Sequence, residues 1–426
     1  MKKVLIITYY WPPAGGPGVQ RWLKFTKYLK AYDIEPVVYS PENPYYPITD
    51  ETLLDQVPKG LTQYTLPIKE PYRLANLLSR GKTKKISSGI IDDKKQSPIE
   101  QLLLWIRGNY FIPDARKNWV EPSIRYLTEI VQKEQIEQII TTGPPHSIHL
   151  IGLGLKQSLN LPWIADFRDP WTSIGYHKKL KLRQSAQKKH LEMEHEVLNT
   201  ADKVIVTSET TRKEFGNITK KPVVVITNGY DSEYTGGANL DDKFTLTHIG
   251  SLLTGRNPAN LWKVLSELAG ENETFRAALQ LEFLGVVSQE VIDSLYRYEL
   301  APYLKLRGYV SHHQVLRRQR SAQILLLIEI DSHETKGIIP GKLFEYIAAR
   351  RPILAVGPKD WDAGQIVRDT KTGRVFDYAE HTELKETVYQ WFQKFRKGKL
   401  DWNGEQFEKY SRRELTARLA EELEWE

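Results

Sequence analysis

The chain has 426 residues, enough for two domains of ordinary size. Hydrophobic residues make up 40% and charged residues 27%, which excludes a disordered chain, and the absence of cysteine excludes disulfides, thiolate metal sites and a cysteine nucleophile. The net charge of +7 favours anionic partners such as phosphorylated small molecules, anionic lipid or nucleic acid.

Taken in chain order, short β-branched runs alternate with helical spacing, which predicts α/β layers over parallel sheets. Lys3 to Thr8 reads as a buried strand, too short for the apolar core of a secretory signal, and no stretch approaches the ~18 apolar residues of a membrane span. This predicts a cytoplasmic protein. The turn Trp11 to Gly18 follows, then a helix over Val19 to Tyr32 and a strand over Pro36 to Tyr39. Residues 41–100 read as a long irregular insertion rich in Pro, Lys and Ser. The alternation resumes with a helix at 122–134, strands at Gln138 to Thr141 and Trp163 to Phe167, a helix from Ser147 between them, and a polar helix over 180–200. Strands at Lys203 to Thr207 and Val223 to Ile226 precede a linker at 234–239.

A second unit then opens with strands at Phe244 to Ile249, Leu281 to Leu284, Leu304 to Arg307, Gln323 to Leu327 and Pro352 to Val356. Helices are predicted over Asn257 to Leu268 and Lys342 to Ala349, and over the tail Glu405 to Glu424, where Leu415, Leu419 and Leu423 recur at four-residue steps. The expected domains are 1–235, 236–400 and a terminal helix at 401–426.

Three loops carry the chemistry, each between a strand and a helix, where open α/β sheets bind ligands. In Pro12-Pro13-Ala14-Gly15-Gly16-Pro17-Gly18, the residues Gly15, Gly16 and Gly18 let the backbone approach a phosphate or sugar. In Gly250-Ser251-Leu252-Leu253-Thr254-Gly255-Arg256, Arg256 is placed to clamp phosphate oxygens by paired hydrogen bonds. The third loop, Gly337-Ile338-Ile339-Pro340-Gly341-Lys342-Leu343-Phe344-Glu345, offers backbone amides as an anion cradle. Lys342 adds a cation at the helix N-terminus, which the helix dipole disfavours unless an anion sits there, and Glu345 on the same face can take both hydroxyls of a ribose.

These loops, together with Val204-Ile205-Val206-Thr207-Ser208-Glu209, Ile226-Thr227-Asn228-Gly229-Tyr230-Asp231 and Arg307-Gly308-Tyr309-Val310-Ser311, resemble the family-4 retaining glycosyltransferases, most closely those of Bacteroidetes-type polysaccharide synthesis. The resemblance covers nearly the whole chain. It implies an α/β GT-B fold: two facing Rossmann-like domains with the donor cleft between them, and the last helix returning to the first domain. It implies a hexosyltransferase-like enzyme that moves a sugar from a nucleotide-diphosphate sugar to a glycan or lipid-linked acceptor, with retention and without a metal or other cofactor. Glu345 falls on the second of the family's two glutamates, and Gly337 stands where the first would be. Ser251 and Arg256 fall near the family's phosphate-binding Arg and Lys, and Lys342 matches a phosphate-side residue of a Ser-Lys-Leu subgroup. Arg168, in Ala165-Asp166-Phe167-Arg168-Asp169-Pro170-Trp171, takes the place of a histidine that faces the reacting sugar. Arg168, Asp169 and His146 are therefore the expected catalytic residues.

The lysine- and arginine-rich clusters at 80–95 and 178–189 are expected to rest the enzyme on anionic membrane at its inner face. Two other classes fit less well. A GT-B sugar-nucleotide epimerase needs several free acid/base groups, for which His146, Asp166 and Asp169 are the candidates. A nucleic-acid-binding protein is motivated by charge alone, and no nucleic-acid partner is expected. The GxGxxG pattern of a dehydrogenase is missing.

Overall fold

The computed structural model describes residues 1–70, 98–178, 180–231, 238–402 and 404–424. The chain divides into two compact units, Met1–Thr227 with Arg412–Glu426, and Asn228–Ser411.

The first unit holds a seven-stranded sheet in the order β3-β2-β1-β4-β5-β6-β7. Its strands are β1 Lys2–Thr8, β2 Ile34–Pro41, β3 Thr62–Leu66, β4 Gln138–Gly143, β5 Trp163–Phe167, β6 Lys203–Val206 and β7 Val223–Val225. Every pairing is parallel, and the inner strand β1 carries the continuous apolar run Val4-Leu5-Ile6-Ile7, fully buried on both faces. The helix Arg412–Leu423 belongs to this unit: Leu415, Leu419 and Leu423 are buried with Val4, Ile6, Trp22 and Phe25.

The second unit holds six parallel strands in the order β10-β9-β8-β11-β12-β13. These are β8 Phe244–Ile249, β9 Leu279–Leu284, β10 Leu304–Gly308, β11 Ile324–Ile328, β12 Ile353–Val356 and β13 Gly373–Phe376. In both sheets the strand order reverses beside the first strand, between β1 and β4 and between β8 and β11. Ligands bind at such switch points, outside the carboxyl ends of the strands.

The insertion read as irregular is partly ordered. It contains a 3₁₀ turn at Glu51–Gln56 and the edge strand β3, whose alternating, half-exposed TQYTL carries no apolar run. Residues 71–97, including the basic cluster at 80–95, lie outside the described residues. The unit boundaries also differ from the expected 1–235, 236–400 and 401–426. Tyr230 pairs with Ser411, its amide donates to Tyr410 O at 3.1 Å, and Phe407 is buried beside it, which ties both 228–231 and 404–411 to the second unit.

Candidate functional site

The second unit gathers its chemistry at the switch point. His248 is the penultimate residue of β8 and is wholly buried. Its Nδ1 lies 3.1 Å from Leu326 O on the neighbouring strand β11. A carbonyl only accepts, so the Leu326 bond favours the tautomer with its proton on Nδ1 and a lone pair on Nε2, while the Ser251 backbone is the ring's second main-chain neighbour. Lys342 Nζ lies 3.2 Å from that Nε2 and donates a further bond to Ile249 O at 3.1 Å. Burial first, and then the neighbouring Lys342 charge, hold His248 well below the ordinary histidine range. Burial, reinforced by Arg256 and opposed by Glu329 and Glu345, pulls Lys342 down to about 7.

Arg256 is anchored by Glu329, the residue after β11. Nε donates to Glu329 Oε1 at 2.9 Å and Nη2 to Oε2 at 3.1 Å, while the carboxylate is buried. The edge expected to clamp a phosphate is therefore already taken, because a buried carboxylate needs a charge partner. Nη1 donates to none of the described residues. Ser251 is exposed. Gly250 has φ 99°, Gly285 has φ 116°, and a Cβ on Gly285 would lie 2.7 Å from Gly250 O. Only glycine fits this close approach of two strand ends.

The loop before the helix Lys342–Ala349 leaves several amides unspent. Among the described residues the backbone N–H groups of Gly337, Ile339, Gly341 and Lys342 donate no hydrogen bond. The helix has no side-chain cap. Unpaired amides, a helix dipole and a cation are the elements from which protein anion sites are built. The other loop members contribute differently from the expectation. Pro340 has no amide, Ile338 N donates to Thr335 O, and Ile338 O accepts from Trp361 Nε1 at 2.7 Å. Leu343 is fully buried in the core and its amide is given to Pro340 O, so it has no group to offer a ligand. Glu345 is half-buried, and its Oε2 accepts from Gln319 Nε2 at 2.8 Å. The Oε1 atom accepts no hydrogen bond from the described residues.

In the first unit the loop after β1 is pinned rather than open. Gly15 N donates to Ile48 O at 2.9 Å and Asp50 N to Pro13 O at 2.8 Å. Gly16 is exposed at φ 96° and serves as the N-cap of Pro17–Leu29, again without a side-chain cap. Gly18 abuts the Arg168 guanidinium: a Cβ there would lie 2.2 Å from Nη1. Arg168 folds back onto the end of β4, with Nε donating to Gly143 O at 3.2 Å and Nη2 to Pro144 O, and it lies over the Tyr10 ring at 5.7 Å. Asp169 is exposed. Gly15, Gly18, Arg168 and Asp169 thus sit around the ends of β1, β4 and β5.

His146 does not join them. It is 4% exposed and stacks on Trp171 at 4.9 Å and 3°, within a buried cluster with His149 and Phe167. The ring is stacked and buried, and desolvation holds it far below the usual histidine pKa. Asp166 is likewise committed: Arg21 Nη2 at 2.8 Å, Trp22 Nε1 at 2.7 Å and Thr142 Oγ1 at 2.8 Å all donate to its buried carboxylate. The helix after β4 is also spent, since Asp114 Oδ2 accepts from Ser147 N at 2.8 Å. Among the described residues no group of three or more His, Asp or Glu side chains is arranged to hold a metal ion. No helix among them is long and apolar enough to cross a membrane.

Residues 91–234 match the family model of Glycosyltransferase Family 4. Solved structures share the fold over nearly the whole chain. A glycosyltransferase from Rickettsia africae superposes with a TM-score of 0.60 at 13% identity, covering 99% of this chain and 97% of that one. The Anabaena protein HepE, solved in complex with UDP-glucose, gives 0.59 at 14%, covering 99% of each chain. Sucrose-phosphate synthase from Thermosynechococcus elongatus gives 0.59 at 13%, covering 99% and 97%. No curated protein matches the chain in sequence. The fold is that of the GT-B glycosyltransferases, two Rossmann-like units each built on a parallel sheet. Residues 91–234 thus resemble Glycosyltransferase Family 4, and the chain as a whole shares the fold of these solved glycosyltransferases.

Proposed function

We propose that the enzyme transfers a sugar from a nucleoside-diphosphate sugar to a hydroxyl of a glycan or lipid-linked acceptor in cell-surface polysaccharide synthesis, with retention and without a metal. The observation that carries this reading is Lys342. It is a half-buried cation at an uncapped helix N-terminus, beside unpaired amides, where a bound anion would meet all of these donors at once. The diphosphate would lie on Lys342, on the amides of Gly337, Ile339 and Gly341, on Ser251 and the Gly250 strand end, and on the free Nη1 of Arg256. Glu345 Oε1 would accept from the ribose.

During transfer, negative charge grows on the leaving diphosphate. Fixed donors that meet it there lower the barrier by about 2–4 kcal/mol each, which is the work a metal does in other transferases. Arg168 and Asp169 would orient the acceptor or the sugar, with Gly15, Gly16 and Gly18 giving the backbone close approach. The basic face that includes Lys181, Arg183, Lys188 and Lys189 would lie against anionic lipid, bringing the enzyme to a lipid-linked acceptor at the inner membrane face.

A thermal-shift panel of UDP, GDP, ADP, dTDP and CMP with EDTA present tests the donor site. One diphosphate should raise the melting temperature. Lys342→Met and Glu345→Ala should each weaken its binding at least about tenfold, as expected for loss of a charge-assisted hydrogen bond. A panel with no response would refute the reading. NMR of the product's anomeric proton decides between retention and inversion.

A further inference from the structure

We propose that His248 is a positioning residue for the anion-binding lysine: its Nε2 lone pair takes one ammonium proton of Lys342 and so aims the remaining one at the ligand. The inference rests on the donor-site reading above. His248 is wholly buried inside a strand, a place where an apolar residue would pack without cost. Its orientation is fixed by the bond to Leu326 O at 3.1 Å, which favours the tautomer protonated on Nδ1. That tautomer leaves Nε2 as an acceptor, and Lys342 Nζ stands 3.2 Å from it. Ile249 O takes a second ammonium proton at 3.1 Å. An ammonium has three protons, so one remains.

The strand end beside the ammonium carries no side chain: a Cβ built on Gly250 would stand 3.8 Å from Lys342 Nζ, in van der Waals contact with it. The arrangement parallels a metal-bound histidine held by its outer hydrogen bond, with the lysine in place of the metal. Without the acceptor, the lysine keeps a single internal partner and a free rotor. The charged form also loses a lone pair that favours it, so the lysine titrates at lower pH. The groups facing Lys342 from the packed elements are His248 and Ile249 O on β8, Arg256 on the following loop, Glu329 after β11, and Glu345 on its own helix.

Three variants separate the roles of the ring. His248→Leu removes both hydrogen bonds. His248→Asn keeps a donor toward Leu326 O and is too short to reach Lys342. His248→Gln supplies an acceptor at the Nε2 position. The first readout uses no nucleotide: the pH dependence of Lys342 acetylation by acetic anhydride, followed by peptide mass spectrometry on the full chain. The midpoint should fall by about one pH unit in the Leu and Asn variants, the size expected for a lost hydrogen bond to the charged form, and return toward wild type in the Gln variant. The second readout is the affinity for the nucleoside diphosphate that binds best. It should weaken about tenfold in the Leu and Asn variants and be largely restored by Gln. If the His248→Leu variant does not fold, the contrast between Asn and Gln decides. A Lys342 midpoint unchanged in all folded variants overturns the proposal and leaves His248 as a core residue. A wild-type protein that binds no nucleotide sinks the donor-site reading instead, and the acetylation midpoints still decide the role of His248.

Discussion

Lys342 carries a charge that the fold holds at a disadvantage, and this gives the site a pH signature. Its folded pKa is lowered to about 7, chiefly by burial. An anionic ligand binds the charged form and raises that pKa. Between the free and bound values, binding therefore takes up a proton, and affinity falls as pH rises, by up to about tenfold per unit. Dissociation constants for the best nucleoside diphosphate at pH 6, 7, 8 and 9 should stay level up to about 7 and then weaken. A flat profile would mean that the amides alone hold the ligand. The same arithmetic of burial makes Asp166 structural. Removing its charge strands Arg21, which is 4% exposed and also donates to Thr227 O at 2.8 Å. Asp166→Asn should cost about 3–5 kcal/mol in urea unfolding of the first unit. At this scale the sequence reads unevenly. Lys342 and Glu345 are legible because glycines and a helix start surround them. His248 is not, because Thr-Leu-Thr-His-Ile reads as core, and its partners Leu326 and Lys342 lie far along the chain. His146 misleads in the opposite direction: a histidine at a strand end resembles an active-site group, and only the stacked Trp171 shows it to be packing.

Elements differ in how much of their signal is local. The central parallel strands are readable as continuous apolar runs, because both of their faces are buried. β3 is not, since an edge strand pairs on one side and carries Thr, Gln and Thr among its five residues. The helix His312–Ser321 is mostly polar, and the side chains it buries are Gln319 and Ser321, so its apolar spacing is faint. The terminal helix Arg412–Leu423 announces itself through leucines at four-residue steps. Leu419 is wholly buried among first-unit residues, so Leu419→Ala should cost about 2–5 kcal/mol, measured by urea unfolding of that unit. Gly285→Ala tests the other sheet. The added Cβ meets Gly250 O and needs a positive φ, so the strand ends must part. The variant should lose both stability and nucleoside-diphosphate affinity, read by thermal melting and calorimetric titration.

The whole molecule is two cores on one chain. The first unit closes only when the tail returns to it, while the second is continuous from Asn228 to Ser411. A protein of this kind need not unfold in a single step. The donor-site reading places the nucleoside diphosphate on the second unit, and this makes a crossed experiment possible. Leu419→Ala marks the unfolding of the first unit and Gly285→Ala that of the second, so calorimetric scans of the two variants assign the transitions. A ligand at ~100 times its dissociation constant adds about 2.7 kcal/mol to the state that binds it. Added nucleoside diphosphate should therefore raise the transition that Gly285→Ala lowers, and leave the one marked by Leu419→Ala close to its unliganded position. Hydrogen exchange on the same samples should show protection at Gly337–Lys342 and Gly250–Ser251 before any in the loop Gly15–Gly18. Stabilisation confined to the first unit would place the nucleotide on Gly16 and Arg168 instead, and the assignment of the donor site to Lys342 would fail.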